Sequence, residues 1–151
     1  MTELNPRSTA SIAGHPIHPM LIPFPIAFFV ATLGVDIVYL KTGDPFWART
    51  SLWLLGAGLG FAALAALAGL TDFLGDRRIR ALRPAWHHMI GNVIAVLLAA
   101  VNLYIRCTAG AEQSVASPGV ILSAIVVLIL LFTGWKGWEL VYRGRVGVSD
   151  V

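Results

Sequence analysis

The sequence predicts an all-α protein, a four-helix transmembrane bundle running up-down-up-down with both termini cytoplasmic. Three observations predict it. Four stretches without a charged side chain recur along 151 residues, at 20–35, 50–71, 84–105 and 113–135, each close to the roughly 20 residues that cross a bilayer core. The composition is 57% apolar and 13% charged, with a mean hydropathy of +0.76, too greasy for a domain that keeps its surface in water. The intervening loops are short, so consecutive helices are antiparallel neighbours. Inside lipid a backbone must satisfy its own hydrogen bonds, which makes such segments helical.

The elements follow in order. Residues 1–18 read as a retained cytoplasmic tail and a proline-rich lead-in, without the charged start, short apolar run and cleavage site of a signal peptide. The membrane domain spans 19–142, with helices at about 19–40, 50–74, 85–106 and 118–142, and 143–151 is a second cytoplasmic tail. Pro16, Pro19, Pro23 and Pro25 withhold backbone donors and bias the residues before them away from helix. Regular helix one is therefore expected to begin near Pro23 or Pro25, after a stiff segment that holds His15 and His18.

Helix two carries small or polar residues at alternating spacings of four and three: Gly58, Ala62, Ala65, Gly69 and Asp72. Helix three repeats the spacing through His88, Asn92, Ala95, Ala99 and Asn102, and helix one through His18, Ile22, Pro25, Phe29, Thr32 and Asp36. Stripes of small side chains let membrane helices approach closely, so these faces are expected to turn inward. No internal repeat stands out among the residue identities.

Charge sets the orientation. Eight of the eleven basic residues fall on the side holding the termini and loop 75–84, while Lys41, Arg49 and Arg106 fall opposite; this is the positive-inside pattern. Trp86, Trp135, Trp138 and Tyr142 mark one interface, and Tyr39, Trp47, Trp53 and Tyr104 the other. The basic residues form no tail or amphipathic face suited to nucleic acid. A lone Cys107 permits no intrachain disulfide.

With this topology every helix brings an ionisable group to one layer near the cytoplasmic surface: His15 and His18 from helix one, Asp72 from helix two, His87 and His88 from helix three, and Glu139 from helix four. Ionisable groups at membrane depth are costly and usually face the bundle interior. His87 and His88 point about 100° apart on a helix, and the stripe turns His88 inward.

Three readings stay open. In one, His18 and His88 supply axial ligands to a haem b, with His15 and Asn92 nearby, or His15, His18, His88, Asp72 and Glu139 surround a transition metal. Asp72, level with His88, or Glu139 would then accept the other imidazole N–H and fix its tautomer. In another, the cluster relays protons or a small ligand. In the third it binds nothing: Glu139 pairs with Lys136 or Arg143, Asp72 caps its helix or meets an arginine, and the chain is a cofactor-free accessory subunit of a larger membrane complex. Asp36, far from the histidines, has Lys41, Arg49 or Arg106 as candidate partners. No phosphate loop, cysteine zinc pattern or nucleophile motif is present; no catalytic residue is assigned, and the reading leans away from an enzyme.

The segment GHPIHPMLIPFPIAF at 14–28 resembles the GHPxHPxLVHFPI opening of a family of predicted bacterial membrane proteins, the domain of unknown function numbered 2231. AGLTDF at 68–73, the His-x-x-x-Asn of His88 to Asn92, and GWKGWELVYRGRVGV at 134–148 are similar to further segments of that family. The resemblance implies a four-helix protein of the bacterial inner membrane, in lipid, with a histidine-rich character that invites haem or a redox metal and a redox partner. By position it carries over His15, His18, Asp72, His88, Asn92 and Glu139. Pro23 stands where the family usually has histidine, and Gly144 near where many members place another, so part of such a site is expected to be missing here.

Overall fold

The computed structural model describes residues 5–148. Two short strands, β1 (Ser11–Ile12) and β2 (His15–Pro16), pair antiparallel about a two-residue turn. Ala13 and Gly14 both have positive φ there, the backbone that tight hairpins demand. A single helical turn, α1 (Ile17–Leu21), precedes α2 (Pro23–Thr42). The break at Ile22 falls where the prolines place it, since Pro23 opens the regular helix.

Helix α2 ends on Gly43 in the left-handed conformation, and α3 (Pro45–Gly75) starts at once, capped by Asp44 accepting from the Phe46 N–H at 2.9 Å. A glycine terminator, an acidic cap and a proline in the first turn together compress this connection. The short helix α4 (Arg77–Arg80) leads into α5 (Arg83–Ala109). Then α6 (Ala111–Ser114) and a kinked segment at Val115–Gly119, where Ser117 is extended ahead of Pro118, feed α7 (Val120–Trp138), which closes in a π turn at Glu139–Arg143. Four of these segments are long and apolar enough to cross a membrane.

Antiparallel hairpins α2–α3 and α5–α7 form the halves of the bundle, and contacts α2–α7 and α3–α5 close the square. The centre is built from Phe29, Leu55, Ala62, Ala95, Ala99 and Val126. Small residues set the spacing: a Cβ on Gly58 would stand 2.7 Å from the Phe29 ring. Large apolar side chains such as Leu67, Leu97, Leu128 and Leu131 face outward, the reverse of a water-soluble bundle and the expected pattern in lipid.

Burial reveals a repeat that residue identities conceal. Pro25, Phe29, Thr32 and Asp36 are buried on α2; Ala95, Ala99, Asn102 and Arg106, each 70 positions later, are buried on α5. The return helices match with an offset of 68, pairing Ser51 with Gly119, Leu55 with Ser123, Gly58 with Val126 and Ala65 with Thr133. The two hairpins thus present equivalent faces to a common axis, and α2 and α5 meet across it.

The described chain ends share one face of the bundle. Asn5 donates its side-chain amide to the Val148 carbonyl at 3.1 Å, and the Gly147 N–H reaches the Pro6 carbonyl at 2.9 Å. From there residues 5–16 strap across the end of α3. Asp72 accepts from Ser8 Oγ at 3.0 Å and the Ala10 N–H at 2.7 Å, and the Thr9 hydroxyl caps the Thr71 carbonyl at 2.9 Å.

Asp76 ties this strap to α4. Its carboxylate accepts from the Arg78 guanidinium at 2.7 Å, the Arg78 N–H at 2.8 Å and the Arg7 N–H at 3.0 Å. The hydrogen bond to the Arg78 side chain, aided by these N–H groups, holds the carboxyl well below the usual carboxylate range. A depressed folded-state value means that Asp76 stabilises the fold above the ordinary carboxylate value of about 3.9 and that this contribution is lost as pH falls through the folded value. The melting temperature in detergent is therefore expected to drop with acidification below about pH 4, and Asp76→Asn to flatten part of that dependence; an unchanged acid limb in the variant would remove Asp76 from the account.

Candidate functional site

Two polar layers lie on the axis of the bundle, one at each end. At the end shared by the termini, His18 on α1 and His88 on α5 approach with ring centroids 6.0 Å apart and ring planes at 86°. Each imidazole is anchored by the neighbouring return helix. His18 Nδ1 lies 2.7 Å from the Ala65 carbonyl on α3, and His88 Nδ1 lies 2.8 Å from the Thr133 carbonyl on α7. A carbonyl only accepts, so Nδ1 is the protonated nitrogen of both rings and the neutral ring keeps a lone pair on Nε2.

A glycine one helical turn beyond each carbonyl makes room for the ring. A Cβ on Gly69 would stand 2.8 Å from the His18 ring, and one on Gly137 would stand 3.1 Å from the His88 ring. Ala65 and Thr133, like Gly69 and Gly137, are 68 positions apart, and His18 and His88 are 70 apart. The pair thus obeys the same internal repeat as the core.

Asn92 supports His88 rather than touching His18. Its amide donates to the His88 carbonyl at 2.8 Å and its oxygen accepts from the Thr133 hydroxyl at 3.1 Å, so Thr133 links both residues. The other residues of the expected layer have different partners. His15 is exposed, with Nδ1 2.9 Å from the Ala13 carbonyl. Glu139 accepts from Lys136 at 3.0 Å and Trp135 at 3.2 Å, with Arg143 at 3.8 Å.

The pairing of Asp72 with His88 is not made. Donors of the strap satisfy the Asp72 carboxylate, and the His88 proton goes to Thr133. Among the described residues no three of His, Cys, Asp and Glu gather as a metal-holding group. His87 is exposed, as its place on the helix requires, and so is Cys107.

The second layer occupies the opposite end. Asp36 on α2 and Arg106 on α5 form a bidentate ion pair with no exposed side-chain surface, with Nη1–Oδ1 at 2.8 Å and Nη2–Oδ2 at 2.7 Å. Ser51 on α3 and Ser123 on α7 each donate to one carboxylate oxygen, Ser123 at 2.7 Å. Asn102 accepts from Arg106 Nε at 2.9 Å and donates to the Gly119 carbonyl at 3.1 Å. Among the described residues no buried side-chain nitrogen or oxygen lacks a partner. Arg106 is the choice among the three basic candidates for Asp36. Ser51, Ser123 and Gly119 were not singled out in the sequence, although Ser51 and Ser123 continue the four-three spacing of their helices.

Compared with known proteins, residues 14–150 match the profile of a family described as predicted membrane protein, DUF2231. No curated protein and no solved structure matches.

Breaking a buried pair strands a charge, whereas replacing both partners with apolar residues removes the desolvation cost as well. Arg106→Leu or Asp36→Leu alone is expected to lower stability in detergent by about 3–5 kcal/mol, and the double variant to recover most of that loss. Additive losses in the double-mutant cycle would show that the two side chains do not meet.

Proposed function

The chain belongs to the DUF2231 family of predicted membrane proteins, and we propose that it is a multi-pass protein of the bacterial inner membrane, with both ends cytoplasmic, that holds a redox-active group between His18 and His88. The group is haem b or a transition metal ion, and the role is electron transfer with a partner in the same membrane.

One observation carries this reading: two imidazoles from parallel segments meet with both Nδ1–H groups committed to backbone carbonyls. Metal-bound histidines characteristically donate their second nitrogen in this way, which fixes the ring and raises the basicity of the first. Asn92 and the two glycines position the rings, and Asp72 and Glu139 shape the surface around them.

The chain's own residues supply orientation, and no covalent step is assigned to any of them. Positive charge from Arg77, Arg80 and Arg83 beside this end suits an approach by an acidic partner or an anionic leaflet.

Protein purified from its native membrane is expected to show a Soret band or a stoichiometric metal by elemental analysis. His88→Ala should lose that signal while keeping its helical circular dichroism. Native protein that carries neither, yet co-purifies with a larger complex at fixed stoichiometry, would overturn the proposal and establish the accessory-subunit reading.

A further inference from the structure

Each ring of the His18–His88 pair keeps one nitrogen, Nε2, to which no hydrogen-bond partner is assigned, and the space between the rings selects what can join them. We infer that the pair is a two-coordinate site for a single monovalent copper ion bound through both Nε2 atoms. This rests on the reading that the pair holds a redox-active group, and narrows it to one ion.

Distance is the first argument. With both Nε2 atoms turned toward a shared ion, metal–nitrogen bonds of about 2 Å and about 1.1 Å from nitrogen to ring centre, a linear bridge would set the centroids about 6.2 Å apart. The observed separation is 6.0 Å. A direct hydrogen bond of about 3 Å between the two nitrogens would instead bring the centroids to about 5.2 Å.

Donor number and charge point the same way. Zinc and its divalent relatives seek four donors, and among the described residues no third His, Cys, Asp or Glu joins the pair. Both imidazoles are neutral ligands, so the full ionic charge stays in a membrane-spanning segment. The cost of burying an ion rises with the square of its charge, which favours a monovalent ion. Imidazole is a ligand for copper, and the cuprous ion is content with two collinear donors; oxidation would add charge and call for further ligands, so the site favours the reduced ion.

A haem in the same place would have to spread across the line joining the rings, toward α3 and α7. Those helices already touch the imidazoles: Ala65 and Thr133 through carbonyls, Gly69 and Gly137 through bare backbone. A single ion needs only the gap. The glycines therefore act as positioning residues, because a methyl on either would press on its ring and displace it.

The test is anaerobic titration of the full-length protein in nanodiscs with cuprous ion, in competition with a chromogenic cuprous chelator, followed by X-ray absorption spectroscopy. One ion per chain with two nitrogen scatterers at about 2 Å is expected. His18→Ala and His88→Ala should each weaken binding by at least about 100-fold, and Gly69→Ala or Gly137→Ala by about 10–100-fold, the range for loss of an orienting contact. His87→Ala should leave binding unchanged.

Three or more ligands in the absorption spectrum of the wild type, or cuprous affinity equal to that of the wild type in folded His18→Ala or His88→Ala, would overturn the copper assignment. The spectrum of the unmodified chain keeps the test decisive where a variant fails to fold. Haem or a divalent ion held at unit stoichiometry through the same two histidines would refute the cuprous site and leave the broader reading standing. If the native chain holds nothing that His88→Ala fails to hold, both fall.

Discussion

A carboxylate and a guanidinium sealed from water set the geometry of this bundle. Neither charge is tolerable alone at membrane depth, so α2 and α5 must rotate until Asp36 and Arg106 meet across the axis. Ser51 and Ser123 bring the two return helices to the same point. All four spans thereby converge on one constellation of six charge-assisted or neutral hydrogen-bonding groups, and a helix that turned or slid would leave a buried charge unpaired. Apolar contact alone imposes no such register, because lipid is as apolar as the side chains it would replace.

Fixing that end fixes the other. His18 lies 18 positions before Asp36, and His88 lies 18 before Arg106, so pairing the charges brings the imidazoles level. The neighbouring return helices then present Ala65 and Thr133 at matching depth to receive the Nδ1 protons. Specificity comes from what is absent as much as from what is present: the missing side chains of Gly69 and Gly137 are the seats in which the rings rest. Above the pair, the strap of residues 5–16 covers the end of α3 through Asp72, so the terminal segments complete the fold around the histidines.

Much of this was written in the spacing of residues. Charge-free runs marked the spans, and the four-three stripes of helices one, two and three picked out Phe29, Asp36, Ala62, Ala95 and Asn102, all buried. Prolines located the start of α2. The stripe of the last span, Gly119, Ser123, Val126, Leu130, Thr133 and Gly137, was hidden because its surroundings are so uniformly apolar that no contrast marks it. The internal repeat was hidden for a different reason: equivalent positions are filled by complementary rather than similar residues, Asp36 against Arg106 and Phe29 against Ala99.

Partner choice was the least legible level. Asp72 and His88 were correctly placed at one end, yet depth along the membrane says nothing about a strap folding back from sequence positions some 60 residues away. The same limit applied to Arg106, one of three basic residues at the right depth for Asp36. A spacing rule fixes the face of a helix; only the packed bundle decides which of several polar groups on adjoining faces come within hydrogen-bonding distance.

The most direct measurement of the central claim is nitrogen NMR of the protein labelled at histidine in lipid nanodiscs. His18 and His88 are predicted to show protonated Nδ1 and unprotonated Nε2 at neutral pH, with both Nε2 resonances shifting together when cuprous ion is added. Nε2–H tautomers for the two rings, or a shift confined to one of them, would contradict a shared centre on the bundle axis.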